Sequence, residues 1–157
     1  MKKILFGLFI SIAAWSCVKS YSGGGCSDID PSAEQSQIAS FCLANGIIYT
    51  TDSNGVFYQI IDSGSGATPT ANSRITISYK AYFLNLTVVD STATGHELTT
   101  NLNQLIPGWQ IGIPYIKKGG HIKLVIPSAF CYGCYGYPPG IPPNSILYFD
   151  INLIDVL

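Results

Sequence analysis

The sequence predicts an α+β fold in which an antiparallel β-sheet folds over one short helix, preceded by a helical preface. Two observations carry this. From Asn54 onward, several runs alternate apolar and polar residues at a period of two. The one helix-compatible stretch among them, Pro107-Gly108-Trp109-Gln110-Ile111-Gly112-Ile113, is closed by Pro114 and by Gly119-Gly120, so it holds only a short helix.

The elements follow in chain order. Lys2 and Lys3 form a basic start, and Ile4 to Ala14 is apolar but short for a bilayer span. Ala14 and Ser16 flank Trp15 just before Cys17, which makes residues 1–16 a secretory signal peptide with an A-x-A-like cleavage point. The Cys that follows makes the signal resemble that of a bacterial lipoprotein, whose lipidated cysteine becomes the mature N-terminus. A plain signal that happens to precede a cysteine is the other reading. The lipoprotein is preferred because residues 17–30 include the Gly/Ser stretch Ser20 to Gly25, a suitable tether. The chain is then expected at the cell envelope, on the outer membrane or in the periplasm, touching membrane only through its lipid.

Residues 31–53 form the preface. Asp30 before Pro31 is an N-cap followed by Pro at the first helical position. Ile38, Phe41 and Cys42 lie at helical spacing, and Asn45-Gly46 is a stop, so a helix spans about Ser32 to Ala44. Residues 54–157 form the β-rich domain. Val56, Tyr58 and Ile60 alternate weakly before a Gly/Ser turn. Ile75, Ile77, Tyr79, Ala81 and Phe83 then share one face, with Arg74, Thr76, Ser78 and Lys80 on the other. That pattern is a strand with one buried and one wet side. Ile122, Leu124 and Ile126 alternate with His121, Lys123 and Val125; Leu147, Phe149, Ile151 and Leu153 alternate with Tyr148, Asp150 and Asn152. His121 is expected to face solvent.

Composition narrows the function. Charged residues are 11% of the 157, against roughly 25% in an average soluble domain. Removing Lys2 and Lys3 with the signal leaves six bases and nine acids, a formal charge of −3. Such a chain lacks the basic footprint of a nucleic-acid binder. Its apolar and aromatic content excludes intrinsic disorder. Neither His96 nor His121 accompanies a nucleophile motif, the acids are scattered singly, and Gly64-Ser65-Gly66 lacks the Lys and helix of a phosphate loop. No metal or cofactor is therefore expected. Cys131 and Cys134 form a C-x-x-C among Tyr, Gly and Pro, open to redox, metal half-site or loop-staple readings. The staple is preferred, with Cys26–Cys42 as a second disulfide suited to an oxidising compartment.

The order Ile75–Tyr79, Asp90, Leu105-Ile106-Pro107-Gly108-Trp109, Gly112 and Gly119 resembles the FKBP-type peptidyl-prolyl cis–trans isomerases. Leu124-Val125-Ile126-Pro127 through Tyr132-Gly133, then Ile141-Pro142-Pro143-Asn144 through Leu147-Tyr148-Phe149-Asp150, continue the likeness. It covers Asn54 to Leu157, and the preface is similar to that of exported FKBP-like lipoproteins of the Bacteroidetes type.

The resemblance implies a sheet of about five strands wrapped on the helix, with an apolar bowl between them. Trp109 would be the floor beneath a proline ring. Tyr79, Val89, Leu105, Ile106 and Phe149 would be walls, with Tyr137 and Ile141 on an overhanging loop. Tyr132 would donate its hydroxyl to a substrate carbonyl, and Asp90 would sit polar at the rim. Asp90, Tyr132 and Trp109 are thus the candidate catalytic residues. The implied partners are proline-containing polypeptides and macrolide immunosuppressant-type ligands. Val89 replaces an aromatic usual in the family, the aromatic expected near His96 to Leu98 is missing, and Asn85-Leu86-Thr87 replaces an Asp-Gly turn. The thinner wall implies altered substrate preference. A peptide-binding or chaperone module without turnover is the alternative function.

Overall fold

The computed structural model describes residues 25–157. The signal, Cys17 and the tether up to Gly24 lie outside the described residues. Helix α1 (Pro31–Ala44) starts where Asp30 Oδ1 accepts the Ser32 N–H at 2.8 Å, with Pro31 in the first turn. It ends as the Asn45 side-chain amide donates to the Phe41 carbonyl and Gly46 takes a φ of +65°. There follow β1 (Thr50–Thr51), β2 (Phe57–Asp62), β3 (Arg74–Phe83), β4 (Val88–Ser91), β5 (Leu98–Asn101), α2 (Pro107–Gly112), β6 (His121–Ile126) and β7 (Leu147–Val156). Pro114 stops α2 as its sequence requires, leaving one 3-10 turn, Ile113–Tyr115.

The sheet is antiparallel, in the order β1-β2-β6-β7-β3-β4, with β5 also on β3. Seven strands reduce to about five lanes plus a two-residue lip. The reason is that β4 and β5 share one edge of β3, β4 along Lys80–Tyr82 and β5 along Arg74–Ile77.

Both faces of the sheet carry a core. On the inner face Ile75, Ile77, Ile122, Leu124, Ile151 and Leu153 are fully buried against α2. Close approach there requires glycine: a Cβ on Gly108 would lie 2.3 Å from Ile126 Cγ2, and one on Gly112 2.6 Å from Leu124 Cδ1. On the outer face Ile38, Phe41 and Cys42 of α1 pack on Phe57, Val125 and Tyr148. Val125 and Tyr148 therefore lie under a helix, although the alternation groups them with the wet side. Arg74 and Lys80 of β3, beyond that helix, are exposed. His121 does face away from the inner core, but it is half-buried, with Nε2 2.5 Å from Asp150 Oδ1 on β7.

The cysteine pairing differs from expectation. Among the described residues a disulfide joins Cys26 to Cys134, and Cys42 and Cys131 are free and buried. Cys131 points into the core, where its Sγ donates to the Ile126 carbonyl. That turns it away from Cys134, so the expected staple does not form. Cys42 lies at the start of the fourth turn of α1, roughly 17 Å along the axis from the helix start. It is buried between α1 and the sheet, while Cys26 is exposed and bonded to Cys134, so the expected Cys26–Cys42 pair does not form either.

Candidate active site

The inner face of the sheet is left unfilled at one end, where α2 begins. There a cavity of about 470 Å³ opens between α2, β3, β4, β7 and the loop from Pro139 to Ile141. All ten residues singled out from the sequence border it.

Trp109 is its floor. Pro107 and the Ile106 cap start α2, and Trp109 follows Gly108, whose missing side chain seats the helix on β6. Trp109 is 4% exposed. Tyr79 and Phe149, on the paired strands β3 and β7, meet its ring edge-on, with centroids 4.9 and 5.2 Å away. Such edge contacts hold a ring in one orientation. Among the described residues the indole Nε1–H has no hydrogen-bond partner. Leu105 and Ile106 wall one side from the approach to α2, and half-buried Val89 and Leu98 wall the other.

The rim is polar. The Tyr79 hydroxyl donates to Asp90 Oδ2 at 2.5 Å, while Asp90 Oδ1 accepts the Ser91 N–H at 2.8 Å. Burial first, then the Asp90 bond and charge, push the Tyr79 hydroxyl well above the ordinary tyrosine range. Tyr132 also lines the cavity, and its hydroxyl pKa is raised by burial and then by Cys131, Asp90 and Tyr137. Its ring lies 5.4 Å from that of Tyr137, which is largely exposed over the opening. Tyr137 and Ile141 exchange backbone hydrogen bonds of 2.8 and 2.9 Å, so a tight loop carries Ile141 inward to the cavity wall. The arrangement can hold a compact apolar ring on an aromatic floor, with the Tyr132 side chain among its lining and the Tyr79 hydroxyl already committed to Asp90.

Sequence reasoning did not name Ala81, Leu98, Pro139, Gly140 and Leu147, which also line the cavity. The period-two pattern already puts Ala81 and Leu147 on the inward face, so those two carried a signal. Leu98 fills the place where an aromatic is expected. Pro139 and Gly140 lie in a loop whose path no local pattern encodes.

A protein-family model described as "FKBP-type peptidyl-prolyl cis-trans isomerase" matches residues 66–154. The chain belongs to that family. The FKBP-type isomerase FkpA of Escherichia coli K12 is 44% identical over 107 residues, which are 68% of this chain and 39% of that protein. The isomerase Mip of Coxiella burnetii is 36% identical over 107 residues, 68% of this chain and 46% of Mip. The chain thus spans about two fifths of the length of these FKBP-type relatives. The crystal structure of E. coli FkpA superposes with a TM-score of 0.71 at 40% identity, covering 81% of this chain and 59% of that one. A Pseudomonas syringae isomerase structure gives 0.68 at 25% identity, covering 83% and 98%.

Proposed function

We propose that this FKBP-family chain is a peptidyl-prolyl cis–trans isomerase acting on Xaa-Pro bonds of exported polypeptides. The observation that carries this is the Trp109 floor, braced edge-on by Tyr79 and Phe149 inside a cavity of about 470 Å³. Rotation about an Xaa-Pro amide crosses a barrier of about 18–20 kcal/mol, set by resonance in the C–N bond. Uncatalysed exchange takes tens to hundreds of seconds. The barrier falls when the amide leaves water, because the twisted form is less polar and loses less hydration. Trp109 receives the proline ring, and the apolar walls exclude water around the amide. Tyr132 donates to a substrate carbonyl, and its raised pKa keeps that proton in place. Asp90 fixes Tyr79 by accepting its hydroxyl hydrogen, so the wall facing Trp109 does not shift. No bond to the substrate is made or broken, which suits a site poor in acids and bases. The same bowl suits macrolide-type ligands, whose apolar rings would compete with proline.

Exchange NMR on Xaa-Pro peptides tests the reading. Turnover should be present and should fall in Trp109→Ala and Tyr132→Phe; turnover equal to wild type in both removes the site. Saturable peptide binding without turnover gives the case to a peptide-binding chaperone module.

Export and lipidation are the second half of the reading. Lys2, Lys3 and the apolar run before Cys17 support it, and so does the Cys26–Cys134 disulfide, which suits an oxidising compartment. Fatty-acid labelling should tag the chain and spare Cys17→Ala; equal labelling of both refutes the anchor.

A further inference from the structure

The loop that carries Tyr132 has almost no regular structure of its own. It consists of two 3-10 turns, Ser128–Phe130 and Gly133–Tyr135, with Tyr132 between them. Three ties reach it from the segment before and at the start of α1. Glu34, in the first turn of α1, is only 6% exposed, and its Oε2 accepts the Ser128 N–H at 2.8 Å. Asp28 Oδ1 accepts the Cys134 N–H at 2.8 Å, and Cys26 is bonded to Cys134. Gly133 has a φ of +57°, and a Cβ there would lie 2.3 Å from Asp28 Oδ1, so this backbone is shaped around that carboxylate.

Burying a carboxylate is unfavourable unless hydrogen bonds compensate. Glu34 is nevertheless buried against a backbone N–H 94 residues away. A merely solvated helix face has no use for an acid there. The two carboxylates grip the loop four residues before Tyr132 and two residues after it. Tyr132 itself extends from this clamped stretch to the cavity rim.

We propose that Glu34 and Asp28 are positioning residues that hold the Tyr132 hydroxyl over the Trp109 floor through the backbone of the 128–134 loop. The inference rests on the isomerase reading of that cavity. A donor held in place before the substrate twists spends no free energy on ordering at that moment, whereas a loosened loop loses that advantage.

The test uses the folded, disulfide-bonded chain. Glu34→Ala should lower kcat/KM about three- to fivefold, below the loss from deleting the Tyr132 hydroxyl itself, through which it acts. Glu34→Gln keeps an oxygen for the Ser128 N–H and should restore most of the rate. Asp28→Ala, at an exposed position that leaves folding intact, should give a smaller loss in the same direction, restored by Asp28→Asn. In a Tyr132→Phe background neither Ala variant should lower kcat/KM further, because their effect passes through that hydroxyl. Full additivity, or unchanged kcat/KM in both Ala variants, overturns the proposal. Amide hydrogen exchange supplies a readout independent of turnover. Both Ala variants should speed exchange at residues 128–134 and leave β3 and β7 unchanged. Uniform acceleration, meaning lost global stability, refutes the positioning role. An inactive wild type whose Ala variants loosen only this loop refutes the isomerase reading and leaves the clamp standing.

Discussion

A tyrosine hydroxyl and a tryptophan ring divide the work at the residue scale. Trp109 offers a fixed surface, and Tyr132 offers a donor. Tyr132→Phe removes the donor and keeps the ring, so kcat/KM should fall about five- to tenfold, the scale of one ordinary hydrogen bond. Exchange NMR measures this directly, and an intact rate shows that the hydroxyl is not used. The pH dependence follows from the same residue. Burial raises the Tyr132 pKa, so the proton is retained to higher pH than in a free tyrosine. The sign is that donation is complete at neutral pH and is lost only as pH rises above the ordinary tyrosine value of about 10. The rate profile should therefore show no Tyr132 titration between about pH 7 and 9, and a fall in that range absent from Tyr132→Phe contradicts the assignment.

At the scale of elements, the seat of α2 on β6 sets the depth of the cavity floor. Gly108 lets the helix backbone reach Ile126, and Gly112 lets it reach Leu124. Gly108→Ala puts a methyl 2.3 Å from Ile126 Cγ2, so either that side chain or the helix must move. Overpacking of this kind costs about 1–3 kcal/mol, which the urea midpoint will report. Because Trp109 follows directly, kcat/KM should fall as well. A variant with wild-type stability and rate means that Ile126 rotates aside and the seat is loose.

At the scale of the whole molecule, α1 and the N-terminal arm are part of the architecture. The Cys26–Cys134 disulfide closes a separation of 108 residues. Loop closure alone sets an upper value of about 5 kcal/mol for so long a loop, and disulfides typically contribute about 2–4 kcal/mol. The Cys26→Ala/Cys134→Ala double variant should therefore unfold more easily in denaturant by about that typical amount. The buried free thiols, with the buried tyrosines, favour the folded state less as pH rises. Cys42, buried between α1 and the sheet, has its pKa pushed up from 9.0 to about 11 by desolvation. A folded pKa above the unfolded one means the contribution is complete below pH 9.0 and is lost as pH rises towards about 11. Cys42→Ala should flatten the decline of unfolding free energy across that window, and an unchanged slope excludes the thiol as its source.

What the sequence determined by itself was local or periodic. Asp30-Pro31 marks the start of α1, Pro114 the end of α2, and the alternation through Ile75–Phe83 and Leu147–Leu153 the inward faces of β3 and β7. Those faces, with the motif around Trp109, already name about half of the cavity lining, because side-chain direction on a strand has a period of two. Val89, Asp90, Tyr132, Tyr137 and Ile141 were named only through the family resemblance. The tertiary structure alone decided what depends on distant chain segments meeting. Val125 and Tyr148 read as wet-side residues until α1 covers them. Cys131 and Cys134 read as partners until one turns into the core and the other meets Cys26. Glu34 drew no reading from the sequence, and only the fold buries it on the Ser128 N–H. Contacts spanning 94 to 108 residues leave no trace in spacing, since the intervening chain can close such a loop in many ways and only the packed core selects one.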